Sequence, residues 1–588
     1  MSYLGAADYA VLGCMLCASA AIGLYFRMSG GRQKTTQEFL MGGRAMGVFP
    51  VAFSLMATYM SAISVLGMPG ETYNYGTQYL MWLLGTPVGA LIAGKAFLPV
   101  FYEMNVSTAY EYLEKRFGKT TRTIASILFT VQMILYMAVV LYAPSLALNA
   151  VTGLSTWASV VSLAVVCTFY CSLGGLKAVL WTDVLQALLM LVTVSAVAIA
   201  GCARVGGIDR VIEIASEGGR LVFFNTSPSF FDRYTLWGSV ISGLIFSLHT
   251  CGTNQAQLQR MLSVGHLGRA QKALFWSVPL IAAFIGLAFF DGVVIYALFH
   301  DCDPLSRPEA PIKSADQLMP LSIVHLFAKA PGMTGLCVSG VFSASLSTVS
   351  SAVNSLTAVT LEDFIRPHCC ASNSETRLAL IAKILAVCYG AFTILLTLVV
   401  SEFRGVMEAS NVLFGMVGGP VLGVYALGML TSLANEQGTL VGLLCGFTLT
   451  AWLSFGSYAA KAPVPDLLPT SLQGCPTLNA TMSNATSTFL HSDIIMDEGR
   501  YIFPAYRISY VWFPLIGAIS VVLFGYAASF AFGRWFSIPE VNENHISPVL
   551  RKLYFKSKKE YKTNGCNIRE MEMKEPLRSE NRGVLHES

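Results

Sequence analysis

Between Cys337 and Thr360 the chain carries no charged residue. That distance lets a helix cross the hydrocarbon of a bilayer, which takes about 20 residues. A backbone surrounded by lipid must satisfy its own hydrogen bonds, so such a run folds as a helix or as part of a closed barrel. Its length suits the helix. Similar runs recur at roughly 9–27, 48–69, 78–102, 122–150, 155–174, 178–202, 236–253, 272–299, 333–360, 378–400, 406–430, 439–458 and 508–533, about thirteen spans. Only 12% of the 588 residues are charged and the mean hydropathy is +0.58, whereas a soluble chain carries about 25% charge. The expected fold is therefore all-α, a polytopic protein whose main surroundings are the lipid bilayer.

Composition also excludes some classes. A net charge of +4, scattered along the chain, does not suit nucleic acid. The fourteen cysteines fall mostly in apolar runs, and no Cys/His cluster has zinc spacing. The adjacent Cys369 and Cys370 lie beside a basic stretch, where inert thiols and acylation are both open. The first run, Tyr9–Phe26, lacks a basic leader and reads as a span rather than a cleaved signal.

Short basic loops set the orientation. Arg32, Lys34 and Arg44 follow span one, and Lys115, Arg116, Lys119 and Arg122 follow span three. Arg260, Arg269 and Lys272 follow span seven, and Arg366 and Arg377 follow span nine. Their alternation predicts a plasma-membrane protein with an extracellular N-terminus and a cytoplasmic C-terminus. The loop 203–235, expected outside, holds four arginines against this rule, but long loops cross regardless of charge. The sequons at Asn225, Asn479 and Asn484 then fall outside, and Asn105 falls inside. Cys302 and Cys475 also fall outside, in an oxidising place, and form the candidate disulfide.

The chain divides accordingly. Residues 1–47 hold the external end, the first span and a basic loop. Two sets of five spans, 48–202 and 236–430, flank the external loop 203–235. Residues 431–533 hold two more spans around the polar loop 460–507, and 534–588 form a basic tail expected to be disordered. Because five is odd, the two sets enter the membrane from opposite sides, as an inverted repeat requires. The first span of each set is interrupted, by Ser61, Ser64, Gly67 and Pro69 in one and by Gly243, Gly252 and Thr253–Gln257 in the other. Broken helices expose carbonyls and amides to ions and polar solutes, while Gly and Ser also serve ordinary helix contacts.

The run 337–360 is crowded with hydroxyls. They could bond to the preceding turn or to a neighbouring helix. However, Ala344, Ser347 and Thr348 share one helical face, where two hydroxyls and a carbonyl could replace the water around Na⁺. Asp183, with Gln186 one turn on, is a carboxylate inside span six. Functional and helix-capping roles both stand for it. Asp291 in span eight reads as a packing or water contact, and His249 as structural.

The phrases CTFYCSLGGLKAVLWTDVLQ, YAPSLALNAVTG, NQAQLQR, SLSTVSSAVNSLTAVTLEDFIRP and FGMVGGPVLGVYALGML resemble the sodium/solute symporter family. They are most similar to its multivitamin, monocarboxylate and iodide branch. The resemblance runs from about residue 7 to 532 and implies a thirteen-span inverted-repeat core. It implies a sodium site of Ala57, Met60 and Ala344 carbonyls with Ser347 and Thr348 hydroxyls. It also implies a possible second sodium at Ser61, Asp183 and Gln186, and a solute near Tyr59, Ser64, Asn254 and Gln255. No cofactor is expected beyond sodium as coupling ion. Two departures touch the substrate region. Asn74 follows Glu71-Thr72-Tyr73 where relatives carry Arg, and His-Thr-Cys-Gly-Thr precedes Asn254 where they carry Tyr-Gly-Val.

Sodium-driven import of a small organic anion is the expectation, with biotin or pantothenate ahead of monocarboxylates and iodide. A channel or solute sensor on the same scaffold is the remoter reading. An enzyme lacks a base that the sequence places beside the serines. An ATP-driven pump lacks a phosphate loop, since Leu113 stands where Gly118-Lys119-Thr120 would need its first glycine. The orientation predicts glycan on Asn479 or Asn484 and none on Asn105. Glycosidase gel shifts of single sequon mutants check this, and a glycan on Asn105 would reverse the topology.

Overall fold

The computed structural model describes residues 4–29, 33–307, 312–369, 374–400, 406–460, 467–475, 502–533 and 541–555. Every regular element among them is helical. Among the described residues, ten helices are long and apolar enough to cross a membrane, and a bent pair, Thr36–Arg44 with Val48–Tyr59, raises the number to eleven. The difference from thirteen has physical causes. The run 48–69 is divided into Val48–Tyr59 and Ala62–Tyr75, and the run 236–253 ends at Gly252 before Gln255–Leu262 begins. The runs 155–174 and 178–202 follow one another without a loop inside Thr156–Val205. The segment is two helical stretches meeting at a kink, each long enough to cross a bilayer core. It bends at Gly175, whose φ of 57° and ψ of −155° suit glycine alone, and where a Cβ would lie 2.6 Å from the Phe39 carbonyl.

The first break falls at Met60–Ser61, both extended, and Gly67 and Pro69 lie inside the following helix. At the second, Thr253 and Asn254 leave the helix, and Asn254 Oδ1 accepts from the Ala256 N–H at 2.9 Å to start the next one. The hydroxyl-rich helix Met333–Val359 is enclosed on all sides, whereas Ala6–Met28 lies largely exposed at the periphery.

The helix Leu267–Phe299, about 50 Å long, separates two ends of the bundle. At one end Cys302 and Cys475 form a disulfide with Cα atoms 5.0 Å apart. Here the loop arginines take up internal roles. Arg220, fully buried, donates to the carbonyls of Tyr73, Gly218, Leu468 and Pro469 and stacks on Tyr296. Arg233 pairs with Glu71 at 2.8 Å. At the other end, part of the tail expected to be disordered is packed. Ser547 N–H donates to Met429 O, His545 O accepts from Tyr112, and Arg551 pairs with Glu103. Asn225 is half-buried and its Nδ2 donates to Tyr234 O at 3.2 Å, while Asn479 and Asn484 lie outside the described residues.

Candidate functional site

The two broken helices meet the hydroxyl-rich helix at a wholly buried polar junction. Asp183 is its centre. Oδ1 accepts from Ser347 Oγ at 2.9 Å, and Oδ2 accepts from Ser54 Oγ and from Arg260 Nη2, the latter at 3.1 Å. Arg260 also donates through Nε to Ser54 Oγ at 2.7 Å, through Nη1 to Ala256 O at 2.7 Å, and through Nη2 to Ser351. All five side chains are sealed from solvent, with at most 1% exposure. A carboxylate and a guanidinium so enclosed are tolerable because each is paired and otherwise hydrogen-bonded.

Two sequence readings are corrected here. Arg260 is not a loop cation after span seven, because it lies on Gln255–Leu262, inside the protein. Asp183 does not cap a helix start, because it lies about two turns beyond the kink at Gly175, inside the second helical stretch. The carboxylate that the sequence did not place beside the span-nine serines is Asp183 itself, but no histidine joins it and the pair faces a guanidinium rather than a solvent-accessible cleft.

The first break lies about two turns beyond Ser54 on the same helix. The Ser61 N–H faces Ser64 Oγ at 3.4 Å instead of continuing the ladder to Ala57 O. The break touches the hydroxyl-rich helix through Thr58 Oγ1 and Ser351 Oγ, 3.0 Å apart. Ala57, Met60, Ala344, Ser347 and Thr348 are all buried there. Thr348 Oγ1 donates to Ala344 O at 3.0 Å, as Ser347 donates to Asp183. Each hydroxyl gives away its proton in these bonds and keeps oxygen lone pairs for a cation. This donor set of oxygens suits a hard ion such as Na⁺.

A cavity opens at the same break. Tyr59, Trp82, Phe246, Phe414 and Tyr136 form its aromatic wall, and Ser61, Ser64 and Ser410 supply hydroxyls. Neighbouring rings stand 4.8–6.0 Å apart. No charged residue lines it among the described residues. Of the residues expected near the solute, Tyr59 and Ser64 line this cavity, while Asn254 and Gln255 do not. Asn254 caps Gln255–Leu262, and Gln255 Oε1 accepts from the Ala109 N–H at 2.7 Å. Ser61, Asp183 and Gln186 are not joined by any hydrogen bond among the described residues. Ser61 faces the cavity, Asp183 is fully engaged, and the buried Gln186 amide makes no hydrogen bond. Sequence reasoning missed Ser54, Thr58, Arg260 and Ser351. The i, i+4 spacing of Ser347 and Ser351 was the available signal for one of them.

A bundle whose spanning helices stop part-way beside a buried, hydroxyl-rich helix has the build of a secondary transporter. The chain belongs to the sodium:solute symporter family, whose family model matches residues 39–446. A Drosophila melanogaster protein provisionally named a sodium-dependent multivitamin transporter is 42% identical over 91% of this chain and 88% of its own length. Human sodium-coupled monocarboxylate transporter 1 is 40% identical over 90% and 87%. The rabbit, Oryctolagus cuniculus, sodium-dependent multivitamin transporter is 40% identical over 93% and 85%. A solved Na⁺-coupled sialic acid symporter, in a substrate-bound outward-open state, has a TM-score of 0.73 at 24% identity, covering 90% of this chain and 98% of that one. That likeness establishes the shared fold. The chain is a multi-pass membrane transporter and a sodium-coupled symporter of the multivitamin and monocarboxylate kind, not an enzyme.

Asp183→Asn removes the charge that balances Arg260. Breaking a buried pair from one side costs about 3–5 kcal/mol, so the mutant should yield less folded protein and unfold at lower temperature in detergent. Adding Arg260→Gln should recover part of that loss. A single mutant as stable as the wild type would show that the pair does not hold the junction.

Proposed function

We propose that the protein couples sodium entry to the import of a small organic carboxylate across the plasma membrane, with biotin or pantothenate as the preferred solutes. The N-terminus is assigned to the outside. The observation that carries the solute reading is the uncharged, aromatic-walled cavity at Met60–Ser61. The buried Arg260 serves Asp183 and does not line the cavity. The carboxylate is held instead by the amides of the broken helix and by hydroxyls such as Ser61 and Ser64. Charge alone gives such a site little selectivity, so the apolar body of the solute must add to it. Biotin and pantothenate offer that body to the rings; lactate and iodide offer little beyond charge.

Sodium is assigned to the carbonyls of Ala57, Met60 and Ala344 with the hydroxyls of Ser347 and Thr348. Bound there, it ties the first broken helix to the hydroxyl-rich helix and stabilises the cavity wall that includes Tyr59 and Ser61. Its release loosens both. Linkage requires solute and sodium to strengthen each other's binding equally when the two are coupled.

Ser347→Ala and Thr348→Ala each remove one ligand oxygen, a loss on the order of 1–2 kcal/mol or about five- to thirtyfold in affinity. The sodium concentration for half-maximal uptake should rise by that factor at normal surface expression, and an unchanged value would place the ion elsewhere.

Micromolar biotin should block sodium-driven pantothenate uptake in expressing cells, and pantothenate should block biotin uptake. Transport of short monocarboxylates with no uptake or competition by either vitamin would replace this solute assignment with the monocarboxylate one.

A further inference from the structure

Five aspartates are buried among the described residues, and four have partners. Asp183 has Ser54, Ser347 and Arg260. Asp363 has Arg122, Thr108 and Ser126, Asp303 has Tyr73 and Ser306, and Asp8 has the N–H groups of Gly5 and Gly335. Asp291 has none. It lies in Leu267–Phe299 with 0% exposure, and neither Oδ1 nor Oδ2 takes part in a hydrogen bond.

The packing around it is close. At the next residue, Gly292, a Cβ would lie 2.5 Å from Thr72 Cβ and 2.6 Å from Pro69 O, so the second half of the first broken helix presses directly on this one. Thr72 gives its hydroxyl proton to Met68 O in its own helix and offers Asp291 nothing. On the other side Val294 fills the space beside Gly201. The titratable groups facing Asp291 are Cys202 of Thr156–Val205 and Cys337 of Met333–Val359. Several on the other packed elements are engaged elsewhere. Glu71 pairs with Arg233, Tyr73 with Asp303 and Arg210 with Glu213, while Tyr79 packs on Phe289 and His325 on Phe299.

An ionised carboxylate in such a place lacks a donor and a counter-charge, which costs several kcal/mol inside a span. No three His, Cys, Asp or Glu side chains gather there to hold a transition metal among the described residues, and no hydroxyl bonds to the carboxylate. A carboxylic acid meets the constraint, because its O–H can donate to a main-chain carbonyl and an ionised group cannot. We propose that Asp291 is a proton-binding site of the transport cycle, loaded while Ala62–Tyr75 is packed against it and released when movement of that half-helix admits water. The cycle role rests on the symport reading above; the protonation itself does not.

The experiment therefore has two arms. Infrared spectra of the purified full-length protein in lipid vesicles at neutral pH should contain a carboxylic-acid C=O band that exchanges slowly in deuterium oxide. The band should be lost in Asp291→Asn and shifted in Asp291→Glu. Absence of such a slowly exchanging band from the wild type, or its survival in Asp291→Asn, overturns the proposal even if one variant fails to fold. In proteoliposomes, sodium-driven solute uptake by the wild type should fall as pH rises through neutrality, and Asp291→Asn, permanently neutral, should flatten that profile. Identical profiles with the band present would overturn the cycle role. Absence of uptake with every solute in both proteins would sink the symport reading and with it the cycle role, while leaving the infrared assignment standing.

Discussion

The structure depends on one buried contact, the pairing of Asp183 with Arg260. It joins the bent helix Thr156–Val205 to the second half of the second broken helix, and through Ser54 and Ser347 it reaches the first broken helix and the hydroxyl-rich helix. Neither charge is tolerable there alone, and each is useful because of the other. The contact fixes the depth at which four elements meet. Gln257 adds to it by donating to the Leu55 carbonyl at 3.1 Å, a brace from the second broken helix to the first. The main-chain carbonyls at Met60–Ser61 are thereby held against a helix rich in hydroxyls. Hydroxyls suit this place because they can donate to a neighbour and still present lone pairs to an ion.

A transporter must also move, and the polar contacts are distributed accordingly. Arg220 and Arg233 tie loops to helix ends on one side, and Arg116 donates to the Gly428, Thr431 and Ala434 carbonyls on the other. Between these clamps the cavity wall is built of rings and small hydroxyls, which can shift without leaving a charge unpaired. The arginines of the loop 203–235 ran against the charge rule in the sequence. Two of the four are held inside the fold, so they do not act as free charges beside the bilayer.

Much of the fold was legible in the sequence because the signals are local. Apolar runs announce helices, and Ser61 and the stretch Thr253–Gln257 announced both breaks. Tyr59 and Ser64 line the cavity because they stand at a break. Asn254 and Gln255 stand at the other break, where their polarity caps one helix and holds Ala109. Arg260 was misread because an arginine near the end of an apolar run looks like a loop cation until its partner, 77 residues away, is known.

The sequence by itself determined that this chain lives in a membrane, that it is helical, that two spans break and that one span carries a row of hydroxyls. These follow from composition and from periodicities of a few residues. Only the tertiary structure decided that Asp183 meets Ser347, 164 residues away, that the cavity is uncharged, and that Asp291 stands without a partner. The reason is physical. Helix formation responds to neighbours along the chain, whereas the state of a buried charge depends on which distant segment packs against it.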